Sequence, residues 1–166
     1  MALLQVDSAA HAAEITRFDK FVVRGPGADA CWIWCGALAD DGYGRFWLNR
    51  NGAHRVVRPH RYALALAQHL VLGEDDIAMH EVCDLPLCVR AEPLGGHIQL
   101  GTQAENLAQM GRAGRGGGRG HPRRWYGPDR AARAARSRAL RHAVRHGWDP
   151  VAVREALEAS EHATLF

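Results

Sequence analysis

The sequence predicts an α+β fold of short strands, capped helices and a loop rich in cysteine and histidine. Three observations carry that expectation. The aromatic segment Cys31-Trp-Ile-Trp-Cys-Gly36 is followed by two strong turn signals, Asp40-Asp41-Gly42 and Asn51-Gly52, as in a small antiparallel sheet. Prolines at 59 and 150 and a capping box beginning at Thr102 mark three helix starts. Cys83, Cys88 and His97 stand close together in the stretch Met79–Met110, around which the rest of the chain is organised.

Taken in order, residues 1–28 read as an N-terminal arm, with a weak helical pattern through Ala9, Ala12, Ala13 and Ile15 that Gly25-Pro26-Gly27 ends. The strand at Cys31–Gly36 is expected to pair with a returning strand, Tyr43–Leu48, across the Asp40–Gly42 turn. Asn51-Gly52 then leads into a short strand at Arg55–Arg58. Pro59 opens a helix expected to run to about Leu72, with Tyr62, Ala63, Leu66 and Leu70 on its buried face and Gly73 as its stop. After the central stretch, residues 112–128 form a Gly/Arg-rich linker that has too little to bury to build a core. Residues 129–166 are expected to form a helical hairpin. Its first helix spans about Arg130 to His146, and its second begins after an Asp149 N-cap. Leu140 and Val144 would pack on Val153 and Leu157.

Charge divides the chain more sharply than its formal net of +3 suggests. Residues 1–110 carry 9 basic and 13 acidic side chains, whereas residues 111–146 carry 11 arginines and one acid, Asp129. A block of one sign at that density is the footprint of phosphate binding. Arg112, Arg115, Arg119, Arg123, Arg124, Arg130, Arg138, Arg141 and Arg145 are therefore the candidate nucleic-acid contacts. A solvated basic tail would carry the same composition. The longest apolar stretch, Ala63–Leu72, is interrupted by Gln68 and His69 and is too short to span a bilayer. With no signal-like start at Met1–Ala13, a cytoplasmic location is expected. There, cysteines serve as thiols or metal ligands more often than as disulfides.

The chemistry concentrates in the central stretch. Cys83 and Cys88 place two thiolates on one loop, and His97 adds an imidazole. Structural zinc is closed by four such ligands in a tetrahedron, and either Cys31 or Cys35 is available as the fourth. The alternative is four buried thiols acting as small hydrophobes. Thr102-Gln-Ala-Glu105 caps a helix that carries Asn106, and the strand-like segment His97–Gly101 precedes it. The order strand, cysteine loop, strand, helix is a ββα unit folded around metal.

Several motifs together resemble the HNH endonucleases. These are Cys31-Trp-x-Trp-x-Gly, Gly42-Tyr-Gly, His60-Arg61, His80 followed by Cys83-Asp-x-Pro-x-Cys88-Val, and His97-x-x-x-Gly101-Thr-x-x-Glu-Asn106. The likeness is closest to the phage and actinobacterial branch related to His-Cys box homing endonucleases, and it covers roughly residues 30–112. It implies a ββα-metal (His-Me finger) nuclease domain over residues 29–111 that cuts DNA with Mg²⁺ or another divalent cation. By position, His80 would be the general base and Asn106 the ligand of the catalytic ion. Arg61 would be a candidate phosphate contact, and Cys31, Cys83, Cys88 and His97 would hold the zinc, Cys31 being favoured over Cys35.

This chain departs from the family pattern in four places. Two residues, Glu81 and Val82, separate His80 from Cys83, where one is usual. The loop from Cys88 to His97 is longer, Met79 stands where an acid often precedes the histidine, and Gln109 replaces a frequent Asp or His. The expected partner is DNA, with a homodimer also open; Ala163–Phe166 only faintly resembles a sliding-clamp-binding peptide. The competing readings are a non-catalytic, zinc-stabilised DNA-binding module and an RNA-binding basic protein.

Overall fold

The computed structural model of the protein describes residues 3–112 and 130–162. Among them are five helices and four two-stranded antiparallel ribbons, so the fold is mixed α+β. The ribbons join β1 (Leu4–Gln5) to β6 (Val71–Leu72), β2 (Val22–Arg24) to β3 (Trp32–Trp34), β4 (Phe46–Arg50) to β5 (Ala53–Val57), and β7 (Ile77–His80) to β8 (Ile98–Gly101). The helices are α1 (Ala12–Asp19), α2 (Pro59–Ala67), α3 (Gln103–Arg112), α4 (Arg130–Ala143) and α5 (Pro150–His162).

The expected arm is built into the core. Phe18 of α1 is buried, with ring centroids 5.3 Å from Trp34, 5.3 Å from Phe46 and 4.6 Å from Tyr62. Tilted and edge-on aromatic pairs of this kind each add about 0.5–1.5 kcal/mol beyond the area they bury. Arg50 of β4 reinforces the attachment through an ion pair of 2.6 Å with Glu14 of α1. Burial alone would raise the Glu14 carboxyl, but the hydrogen bonds and charge of Arg50 hold it below its ordinary value.

Two expectations about the first sheet change. The strand at Trp32–Trp34 pairs with Val22–Arg24 of the arm instead of with Tyr43–Leu48. The Asp40–Gly42 turn does form, with Arg45 N–H donating to Ala37 O at 2.8 Å and Ala39 N–H to Tyr43 O at 2.8 Å, but this loop does not extend into a β3–β4 ladder. Phe46–Arg50 turns instead onto β5 through Asn51 and Gly52, whose φ angles of 51° and 75° are those the Asn-Gly hairpin turn requires.

The helix from Pro59 also ends earlier than expected. His69 adopts φ 53°, Gln68 N–H donates to Leu64 O at 3.1 Å, and Leu70 N–H reaches back to Ala65 O at 3.1 Å. The left-handed His69 and the bond from Leu70 back to Ala65 are the 6→1 closure of a Schellman-type ending, formed here without glycine. It releases Val71–Leu72 to pair with β1, so the stop lies ahead of Gly73. The first C-terminal helix likewise ends at Ala143 instead of His146, and Gly147 follows at φ 118°.

The C-terminal hairpin packs on the same core. Leu140 and Val144 are buried together with Val153 and Ala156, and Asp149 caps α5 by accepting from the N–H groups of Val151 and Ala152 at 2.9 and 3.1 Å. α4 lies against β3, where Arg141 Nη1 donates to Gly36 O at 3.2 Å and Arg133 Nε donates to Asp41 O at 2.9 Å. Arg115, Arg119, Arg123, Arg124, most of the linker and the terminal Ala163–Phe166 lie outside the described residues, as does the side chain of Arg112. No helix of the described residues is long and apolar enough to cross a membrane.

Candidate metal centre and the histidines beside it

Backbone pairing assembles the cysteine cluster from distant parts of the chain. Val89 N–H donates to Trp32 O and Trp34 N–H to Leu87 O, both at 2.8 Å, which lays residues 87–89 along β3 and sets Cys88 beside Cys31. His97 N–H and Ile98 N–H both donate to Arg90 O, at 2.8 and 3.1 Å, and so bring the histidine back over the loop. Arg90 ties the far side: its Nη1 donates to Ala30 O at 3.0 Å, next to Cys31. Gly96 permits the return, because a Cβ there would overlap the carbonyl oxygen of Glu92.

The ligand atoms of Cys31, Cys83, Cys88 and His97 all lie within 4.8 Å of one another. His97 Nδ1 is 3.4 Å from Cys31 Sγ and 3.6 Å from Cys88 Sγ. A tetrahedral zinc with ordinary Zn–S and Zn–N bonds sets such N···S edges at about 3.5 Å. Three sulfurs and one imidazole suit a soft divalent ion, so the donor set and its spacing fit zinc. Cys35 is not in the cluster. It lies half-buried, where desolvation raises its thiol and the charge of Arg141 partly opposes that rise.

Without metal, the cluster shares its protons unevenly. Hydrogen bonds from the Cys31 and Cys83 thiols, with help from backbone amides, hold Cys88 down at about 4. Cys31, donating first to Cys83 and then to Cys88, is pushed far up. Metal binding must therefore expel protons.

A second group of polar side chains sits beside this cluster. His80 ends β7 opposite Ile98, and Glu81 N–H donates to His97 O at 2.9 Å, so His80 is joined directly to the cysteine loop. Neither ring nitrogen of His80 has a hydrogen-bond partner, although both are buried. The α3 helix contacts β7, and Gln109 on it donates from Nε2 to His80 O at 2.7 Å. The expected capping box is present: Thr102 N–H donates to Glu105 Oε2 at 2.7 Å and Glu105 N–H to Thr102 Oγ1 at 3.2 Å. It starts the helix that carries the half-buried Asn106.

Arg61 uses its guanidinium locally. It donates to the carbonyl oxygens of Gly73, at 2.5 Å, and Asp76, clamping the turn that feeds β7. Among the arginines expected at a nucleic-acid face, Arg130, Arg138 and Arg145 are exposed, while Arg141 is half-buried against Gly36. Two residues gain a place that the sequence did not give them, Arg90 as a brace and His60 as a buried neighbour of His80. Arg90 lies in no pattern that marks it, and the His60-Arg61 motif of the family likeness assigned His60 no role.

No protein-family model matches the chain, and no solved structure does. Two proteins of Escherichia phage T7 are similar to it. "Protein 2.8" is 34% identical over 88 residues, covering 53% of this chain and 54% of that protein. "Protein 7.7" is 32% identical over 85 residues, covering 51% and 58% respectively. The chain thus spans little more than half the length of the curated relatives it matches, and both are phage proteins.

Proposed function

We propose that this protein is a zinc-stabilised DNA endonuclease of the HNH type, in which His80 is the general base and Asn106 the protein ligand of a catalytic divalent ion. The observation that carries this reading is the position of His80. It is a half-buried residue whose two ring nitrogens are both buried and unpaired, on a β7–β8–α3 unit joined through Glu81 to a Cys₃His cluster. A buried polar atom without a partner is rare, and at a site of this kind it marks a group awaiting substrate or water. Histidine is the side chain whose ordinary pKa lies nearest neutral pH, which suits it to accept a proton from attacking water.

The rest of the unit supports that role. Zinc on Cys31, Cys83, Cys88 and His97 would fix the loop between base and helix, which so small a core has few other means to hold. Gln109 and the β7–β8 ladder hold the backbone of His80, so the imidazole has a fixed origin. Arg61 contributes by clamping the turn before β7, which makes it a positioning residue. A hard divalent ion such as Mg²⁺, held by Asn106 and the phosphate, would stabilise charge on the scissile group. The exposed arginines of α4 would add contacts to the DNA backbone that position without reading sequence.

Nicking of supercoiled plasmid in Mg²⁺ or Mn²⁺ tests the reading. His80→Ala is expected to slow cutting about 10²–10⁴-fold, the usual worth of a general base, with DNA affinity unchanged. Asn106→Ala should act similarly and raise the concentration of divalent ion required. A His80→Ala protein that cuts as fast as wild type removes this mechanism. Salt-sensitive DNA binding without cleavage in any divalent ion would make the protein a zinc-stabilised binding module.

A further inference from the structure

The nuclease reading leaves one buried imidazole without a task. His60 stands in the first turn of α2 with 5% of its surface exposed, and its Nδ1 has no hydrogen-bond partner. Its ring centroid is 5.1 Å from that of His80, with the planes at 52°. Three unpaired buried nitrogens therefore sit on two neighbouring rings. The rings make no hydrogen bond to each other, and a water donating to a nitrogen of each at about 2.9 Å would satisfy two of the three. Native proteins satisfy such buried atoms with ordered water.

The surroundings hold His60 in one place and one charge state. Tyr43 packs against it at 5.4 Å between centroids, and the Arg58 guanidinium lies 4.1 Å from the Tyr43 ring. Burial first, then His80 and the charges of Arg58 and Arg61, keep its pKa well below the ordinary histidine value. A neutral His60 with its proton on Nε2 presents Nδ1 as an acceptor.

We infer that His60 is a water-positioning residue of the His80 centre, its Nδ1 and one His80 nitrogen accepting the two hydrogens of a single attacking water. This rests on the nuclease reading and adds a residue to it. With both hydrogens fixed, an oxygen lone pair is left for phosphorus. In the step itself the water oxygen forms the new P–O bond and one proton passes to His80. The bond to the leaving sugar oxygen breaks, and that oxygen keeps the electron pair. The second proton stays on the transferred oxygen, hydrogen-bonded to His60 Nδ1 throughout. His60 moves no proton; it orients the nucleophile, a contribution that misplacement can cost about 10²-fold.

The test compares plasmid nicking and DNA affinity for wild type, His60→Phe, His60→Asn, His60→Gln, His80→Ala and the His60→Phe/His80→Ala double variant. Zinc content and thermal midpoint are measured for each. His60→Phe, which keeps a ring against Tyr43, is expected to cut about 10²-fold more slowly with unchanged DNA affinity. The Asn amide oxygen falls near the position of Nδ1 and that of Gln does not, so Asn should outpace Gln by about 10-fold. This contrast holds even if Phe impairs folding. The double variant should be no slower than His80→Ala alone, because both act on one water. Wild-type rates in folded His60→Phe, equal rates for Asn and Gln, or losses that multiply in the double variant each overturn the inference. Wild-type protein that cuts in no divalent ion overturns the nuclease reading itself, a separate result.

Discussion

Cys31 and Cys35 are chemically identical and four residues apart, yet they meet different surroundings. Cys31 sits within ligand distance of three other donors, whereas Cys35 lies near Arg141. Cys31→Ser should therefore lower zinc affinity by more than the roughly 10²-fold typical of losing an outer-shell partner, and Cys35→Ser should leave it unchanged, as a chromophoric chelator titration would read. His60 makes a second prediction at this scale. Its folded-state pKa is depressed, so below the unfolded value near 6.5 the unfolded chain binds more protons than the folded one. Stability is therefore full above about pH 6.5 and falls as the pH drops below it, by at most about 1.4 kcal/mol per pH unit from this group. Urea midpoints from pH 7.5 to 5.5 should fall less steeply for His60→Phe than for wild type. Equal slopes would show that acid acts through other groups, such as the thiols of the Cys₃His cluster.

Among the elements, the end of α2 shows how one backbone angle redirects the chain. His69 holds a left-handed φ of 53° that glycine adopts without cost, and its side chain is exposed. His69→Gly is expected to stabilise the protein by about 0.5–1 kcal/mol, measured by urea unfolding. A loss of stability would mean that the imidazole makes a contact worth more than the strain. The same ending explains why hydrophobic periodicity overran the helix: Leu70 continues the helical face of Tyr62 and Leu66, while Val71 and Leu72 alternate exposed and buried as a short strand does. The pairing of β3 was hidden for a related reason. Trp32–Trp34 carries strand character but no mark of its partner, and the Asp40–Gly42 turn suggested the wrong one because that turn closes a loop without a ladder.

At the scale of the molecule, an acidic N-terminal part and an arginine-rich C-terminal hairpin share one hydrophobic core. The exposed Arg130, Arg138 and Arg145 are the described residues of the basic block best placed for phosphate. Replacing all three by alanine should flatten the dependence of log affinity for DNA on log salt by about 1 per arginine, with similar losses for unrelated sequences. An unchanged slope would remove these three arginines from the proposed DNA contacts. Arg141 differs because it braces α4 on Gly36, so its loss should register in stability before it registers in salt dependence.

The sequence by itself determined the local features, whose causes lie within a few residues. The capping box at Thr102–Glu105, the Asn51-Gly52 turn, the Asp149 cap and the donor types of the metal cluster are all of this kind. The motif likeness also singled out His80 and Cys31, although periodicity and spacing do not reach across the fifty-odd residues that separate Cys31 from Cys83. Only the tertiary structure decided the arm's place in the core, the choice of β2 as partner for β3, the brace from Arg90 to Ala30, and the meeting of His60 with His80. Each of these depends on which distant segments share buried surface and backbone hydrogen bonds, a quantity set by the packing of the whole chain.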